Sequence, residues 1–401
     1  MIRENDIAIV GGGAAGAAAA LLLADQGHQV ALIDASPLAE DWPGEQLDAR
    51  VVALSPGSAA ILSSVGAWPP PQADRVAAYQ TMQVCSAGGR LEFCADQHGL
   101  DALGWIVEIP AIRHSLWRQL EKHSNAQILC PTRVEAVEER ERGVRLKLDD
   151  GSRLNTALLV AADGAKSRLR EMAGIPIDIW HYNQHALIAP VQTERPNSGV
   201  AWQRFTEHGP LALLPLPDGQ SSIVWSQPSG RALAQVEADE DRVIAELNAC
   251  QDSPMGAVST IGRRHALPLV RRKARQLFKG RVVLLGDSAR SVHPLAGQGL
   301  NLGLADAAAL AECLASQQQS GEPRRALARY QRWRRSASEM IGGGIHAINE
   351  TNRLPFGLGQ HVLGAGFIAA NRLWPAREML IERACGFDSD SPRLAQRERS
   401  A

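Results

Sequence analysis

The chain has 401 residues and 45% hydrophobic content, so two structural units, or one domain with a large insertion, are expected around an ample core. Lys plus Arg number 42 against 43 Asp plus Glu, a formal charge of −1, which excludes a nucleic-acid binder acting through a globally basic surface. The six cysteines (Cys85, Cys94, Cys130, Cys250, Cys313, Cys385) show no C-x-x-C and no zinc-like spacing; they read as reduced thiols of a cytoplasmic protein, with neither secretion nor a membrane span predicted.

Taken in order, Ile7–Val10 predicts a short strand, followed at once by Gly11-Gly12-Gly13-Ala14-Ala15-Gly16 and a helical run to Gln26. Gly27 closes that helix and Val30–Asp34 forms the next strand. This is the full setting of a G-x-G-x-x-G motif. Gly11 permits the turn, Gly13 lets a pyrophosphate approach the backbone, Gly16 allows helix and strand to pack, and Asp34 stands where a carboxylate accepts from an adenosine ribose. The motif points to an adenine dinucleotide, NAD or FAD. Asp48–Leu54 is apolar apart from Asp48 and Arg50, and Ser58–Val65 predicts a short helix.

From Ala77 to Cys94 the pattern alternates as in strands, and Val107–Leu120, carrying Arg113, predicts a helix. Three strands are expected at Ala126–Cys130, Arg133–Glu138 and Val144–Leu148, and a buried one at Ala157–Ala162 that ends in Asp163-Gly164, with Ser167 and Arg170 beyond. Between Ile175 and Leu269 the texture of Trp, Tyr, Phe and alternating apolar residues predicts a mostly antiparallel sheet, the wall of a substrate cavity. His181 and His185 are four residues apart, about 13 Å on a strand, so they cannot share a metal ion, and no metal site is expected.

A basic run follows (Arg271, Arg272, Lys273, Arg275, Lys279), then a buried strand at Arg281–Leu285 and the loop Gly286–Gly297 leading into a helix from Leu300 to Leu314. Such a strand-to-helix junction aims unpaired N–H groups and the positive end of a helix dipole at an electron-rich or anionic guest. Pro323–Ile341 reads as an Arg-rich helix, Gly342–Gly386 as an apolar segment, and the polar end as a disordered tail.

Three separated motifs thus stand in order: Gly11-x-Gly13-x-x-Gly16, Asp163-Gly164, and Gly286-Asp287 with its His293-Pro294 loop. Together they resemble the FAD-dependent aromatic hydroxylases with a para-hydroxybenzoate-hydroxylase-like fold. His293 to Asp306 is similar to the signature of the ubiquinone-biosynthesis hydroxylases, as are Asp48-Ala49-Arg50, Gly209–Leu216, and Arg329-Tyr330 with Arg334-Arg335.

The resemblance implies an α/β (α+β) fold: a Rossmann-like FAD-binding domain (1–75, 100–175 and 270–335), an inserted, largely antiparallel substrate domain (76–99 and 176–269), a helical C-terminal region (336–386) and a disordered tail (387–401). It implies FAD held by Gly11, Gly13, Gly16, Asp34, Arg50, Arg113, Asp163, Gly286 and Asp287, with Gly297, Gln298, Gly299, Leu300 and Asn301 at the flavin ring. His293, Pro294 and Gly297 would border the reaction chamber, with no side-chain nucleophile, and Phe205, Pro215, Leu216 and Trp225 would shape the substrate cavity.

The implied reaction hydroxylates a prenylated phenol through a flavin C4a-hydroperoxide, with NAD(P)H or another donor as transient reductant. The implied partners are molecular oxygen, sibling quinone-biosynthesis proteins and a membrane surface, and no nucleic acid. The alternatives are a non-catalytic FAD-binding scaffold or a related flavin reductase or halogenase; the sequence holds no W-x-W-x-I-P element of the halogenating kind.

Overall fold

A computed structural model describes residues 2–39, 51–292, 297–316 and 323–396. The first strand, Ile2–Val10, is the centre of a parallel sheet because its apolar residues meet partners on both edges. Val30–Ile33 lies on one side and Arg153–Ala161 on the other. Ala126–Leu129 and Val282–Leu284 extend the sheet outward, also in parallel, and the antiparallel strands Gly143–Leu148 and Val134–Arg140 flank it. Helix α1 (Ala14–Asp25) is almost wholly buried and correspondingly Ala/Leu-rich. Helices α2 (Pro56–Ser64, capped by Ser55) and α3 (Ile109–Lys122) pack around the same core. The short α4 (Arg168–Met172) follows the Asp163-Gly164 turn.

The second sheet is mostly antiparallel and is built on one long strand, Ile177–Thr193, which pairs with Ser221–Pro228, Val258–Ile261 and His265–Ala274. Its far edge recruits Thr81–Ser86 and Gly89–Cys94 from earlier in the chain. A small third sheet joins Val51–Leu54, Gly104–Glu108 and Val76–Tyr79. Helices α5 (Ser229–Glu237) and α6 (Glu240–Cys250) cover one face of the second sheet. The sequence predicts only strands there; both helices are short and amphipathic, and their apolar positions are too few to stand out from the alternating texture around them.

Helix α7 (Gln298–Ala315) packs on α1 at a point where both backbones come close: a Cβ added to Gly303 would meet the Ala15 Cβ at 3.1 Å. The long α8 (Arg324–Asn352) packs along α7. Helices α9 (Leu358–Arg372) and α10 (Trp374–Cys385) pack on the second sheet in a separate apolar core. A Cβ on Gly89 would lie 2.1 Å from the Gly364 carbonyl oxygen, so α9 sits with its backbone directly on the sheet edge.

The polar tail is a correction to the sequence reading. Residues up to Gln396 are placed, with Ala395 buried, Trp333 Nε1 donating to the Asp390 carbonyl at 2.6 Å and Arg393 N donating to Glu312 at 3.2 Å. A single buried alanine and a few backbone bonds dock a segment whose composition alone looks unstructured.

Candidate active site

Gly11–Gly13, Asp34, Asp163-Gly164 and Gly286-Asp287 all follow the carboxyl ends of adjacent strands in the parallel sheet. Open α/β sheets bind ligands on that edge. Gly11 has φ +111° and a Cβ there would sit 2.2 Å from the Ala162 carbonyl oxygen, while a Cβ on Gly16 would sit 2.0 Å from the Gly11 carbonyl oxygen. Gly13 differs: nothing lies within 4 Å of an added Cβ. It is the N-cap of α1, without a side-chain cap, so the first N–H groups of the helix open onto free space. Two glycines are therefore required by packing, and the third leaves room for a guest.

Asp34 accepts from Gly12 N and, at 2.8 Å, from Ser36 N. Arg113 donates from Nε to the Gly12 carbonyl at 2.9 Å and from Nη2 to the Ser36 carbonyl at 2.7 Å, with Asp34 at 3.6 Å. Its guanidinium lies 4.8 Å from the ring of Trp117, whose Nε1 also donates to the Gly12 carbonyl, at 2.8 Å. Arg113 thus braces the glycine loop and the Asp34 strand end. Trp117 was not singled out in the sequence because at its place on α3 it is indistinguishable from an ordinary core aromatic.

Asp163 accepts from Ser167 Oγ and from Leu169 N, and Ser167 in turn caps Arg170 N. Both oxygens of Asp163 therefore start α4. Arg170 then donates to the Ser288 carbonyl at 3.0 Å, which ties this turn to the Gly286 loop.

The Gly286 loop is held from below. Asp306 of α7, fully buried, accepts from Gly286 N at 3.1 Å, from Arg290 at 2.6 Å and from Arg334 at 2.7 Å. Burial opposes its ionisation, but the two guanidiniums outweigh burial and hold the carboxyl below the usual range. Tyr330 of α8 donates to the Leu284 carbonyl at 2.9 Å, one turn from the same cluster. Gly286 itself has φ +63°.

Asp287 faces outward from this anchored turn, and no hydrogen bond reaches its carboxylate among the described residues. Its carboxyl is accessible yet enclosed by protein, and this partial desolvation raises its pKa despite the opposing pull of Arg290 and Arg272.

Gly297, with φ +61°, is the N-cap of α7, and a Cβ there would meet the Ala53 Cβ at 3.0 Å. Among the described residues no side chain caps α7, its first turn holds no acid, and Gly299 opens onto free space. Gln298, Gly299 and Leu300 therefore present unfilled N–H groups. Asn301 is turned inward: Oδ1 accepts from Ser55 N at 3.0 Å and Nδ2 donates to the Ala53 carbonyl at 2.9 Å. Its side chain clamps α7 to the strand Val51–Leu54, leaving only its backbone for a ligand.

The second sheet separates the four cavity residues. Phe205 and Leu216 lie in the core beneath α9 and α10, with the Phe205 and Phe367 rings 5.9 Å apart. Trp225 is a correction: it is fully buried on the opposite face, among Trp202, Leu213, Val243 and Leu247 under α6. Pro215 shares the strand parity of Leu211 and Leu213, which face the same way as Trp225. Arg50, His293 and Pro294 lie outside the described residues.

The chain matches the family described as FAD binding domain over residues 4–341. It is 33% identical over 391 residues to 3-demethoxyubiquinol 3-hydroxylase of Escherichia coli, covering 96% of this chain and 99% of that protein. It is 34% identical over 360 residues to human ubiquinone biosynthesis monooxygenase COQ6, mitochondrial, covering 78% and 77%. The chain belongs to the FAD-dependent hydroxylases of ubiquinone biosynthesis. Among solved structures, PqsL of Pseudomonas aeruginosa in complex with 2-aminobenzoylacetate matches with a TM-score of 0.76 at 23% identity, over 92% of this chain and 100% of that one. The p-nitrophenol 4-monooxygenase PnpA from Pseudomonas putida matches with 0.76 at 19% identity, over 96% and 99%. At these identities the structures show the shared fold. As a member of these hydroxylases the chain is an FAD-dependent monooxygenase, and the open Gly13, the uncapped α1 and α7 and the unpartnered Asp287 fit that cofactor.

Two expectations follow. Gly13→Ala should leave the thermal midpoint of the apoprotein unchanged while weakening FAD about tenfold or more, whereas Gly16→Ala should lower both, as measured by melting and flavin fluorescence titration; equal melting of the two variants would contradict the assignment. The raised pKa of Asp287 means the folded protein binds that proton more tightly than the unfolded chain, so the ionised form works against stability above its folded pKa and the effect vanishes as pH falls below it. Apo Asp287→Asn should therefore melt no lower than the parent at pH 7 and lose any advantage in acid, yet bind FAD more weakly.

Proposed function

We propose that this enzyme hydroxylates the aromatic ring of a phenol bearing an isoprenoid tail, using NAD(P)H or another donor as a transient reductant. It would work in the cytoplasm, alongside sibling quinone-biosynthesis proteins and at a membrane surface. The observation that carries the reading is the pair of uncapped helix starts, α1 and α7, brought to one edge of the parallel sheet by the close packing of those helices.

The two starts divide the work. The N–H groups after Gly13 suit the pyrophosphate, with Asp34 at the adenosine ribose and Gly11 and Gly16 allowing the approach. Arg113 supports this end by fixing the loop, Asp163 by fixing the neighbouring turn, and Arg50 would lie near the pyrophosphate. Asp287 suits the hydroxyls of the ribityl chain, which donate to a carboxylate. The N–H groups from Gly297 to Asn301 suit the pyrimidine edge of the isoalloxazine, where negative charge collects on reduction and fixed dipoles stabilise it.

When bound and reduced, FAD supplies the activation of molecular oxygen. The chain's own tasks are to hold the ring, to keep water out and to orient the phenol. His293 and Pro294 would border this chamber beside Gly297. Phe205 and Leu216 are packed in the core under α9 and α10, so they would support an apolar chamber from behind rather than touch the substrate. No side-chain nucleophile is required.

The test is turnover under isotopically labelled oxygen gas with a prenylated phenol and reduced nicotinamide nucleotide. One labelled oxygen atom should appear on the ring per reductant consumed. A protein that retains FAD but transfers no label to any prenylated phenol would instead be a scaffold.

A further inference from the structure

We propose that the outer face of α9, continued by α10, is a docking surface for an anionic lipid bilayer. Around α9 the buried positions are Gly359, Gln360, Leu363 and Gly364, with Phe367 and Ala370 partly buried. The opposite arc carries Leu358, Val362, Ala365, Ile368, Ala369 and Leu373, all exposed. An ordinary surface helix places charge on this arc; here the five large apolar side chains Leu358, Val362, Ile368, Leu373 and, from α10, Met379 are between 43% and 59% exposed.

The charge pattern names the occupant. From Thr351 to Arg377 the chain contains no Asp and no Glu, and Glu378 and Glu382 come only in α10; of the arginines, Arg353 pairs with Glu350 and Arg377 donates to the Glu92 carbonyl and Gln97, which leaves Arg372. Arg372, at the end of α9, has no hydrogen-bond or ion-pair partner among the described residues. An apolar stripe with Arg372 at its rim suits a helix lying in the headgroup region, its apolar side toward the acyl chains and that guanidinium at a phosphate. A second copy of this face fits less well, since a two-fold contact would set arginine against arginine. No helix among the described residues is long and apolar enough to cross a membrane, so the contact is peripheral.

The opposite side of the same helix gives the surface a use. Leu363 and Phe367 pack into the core that holds Phe205 and Leu216, so a single helix separates that apolar core of the second sheet from the outward stripe. This use rests on the proposed isoprenoid-tailed substrate, which resides in lipid; the docking itself stands on the helix.

The FAD-loaded full-length protein should float with vesicles of phosphatidylcholine containing phosphatidylglycerol about tenfold more than with phosphatidylcholine alone. The outward triple variant L358Q/V362Q/L373Q should lose about tenfold in flotation with unchanged melting and FAD content, and Arg372→Gln should reduce binding to the anionic vesicles only. Absence of vesicle binding, or binding unchanged in the triple variant, overturns the proposal. So does a wild-type dimer, seen by light scattering, that the triple variant dissolves. Flotation is scored without turnover: a protein that floats but hydroxylates nothing defeats the hydroxylase reading alone, and one that hydroxylates a short-tailed phenol but never floats defeats the docking alone.

Discussion

The carboxylate of Asp306 is the constraint on which the site depends. It gathers Gly286 N, Arg290 and Arg334 on one buried side chain and thereby joins the Gly286 turn, the two-residue strand Arg290-Ser291, α7 and α8. A buried ion cluster of this kind is a poor source of net stability, since desolvation consumes most of the Coulomb gain. Its value is geometric. Two guanidiniums around one carboxylate permit few alternatives, so the turn that aims Asp287 outward has a fixed position, and the N-terminus of α7 is fixed with it. Asn301 completes the clamp by tying that helix start to the strand Val51–Leu54 and the Ser55 that follows it.

The division between residues left open at the sheet edge and residues that hold the frame follows from this. Asp163, Arg113 and Asn301 stand at motif positions, yet their side chains satisfy backbone groups of the chain itself. Gly13, Asp287 and the α7 start are what remain open. Motif residues in this fold are thus of two physical kinds, those that shape the sheet edge and those that leave it vacant for a cofactor.

The parallel sheet and its glycine turn were legible in the sequence because every local signal agreed: an apolar strand, glycines at fixed spacing, an alanine-rich helix and a second strand with a terminal acid. Helices α5 and α6 were not, since a short amphipathic stretch among aromatic strands gives no sustained period. The resemblance implies a cavity place for Trp225; strand parity puts it with Ile223 and Leu213, under α6, and only the pairing of the strands shows which face is which. Trp117 gives no signal because its partner Gly12 is over a hundred residues away, and Asp306 and Arg334 stand inside two separate motifs whose contact, between two helices, leaves no local pattern.

The most direct test is a crystal structure of the protein with FAD bound. The pyrophosphate should lie at the N–H groups following Gly13, the ribityl chain at Asp287 and the pyrimidine edge of the ring at the N–H groups of Gln298 to Asn301. A pyrophosphate seated at the start of α7, or a ring more than a hydrogen bond away from it, would contradict the assignment of the two helix starts.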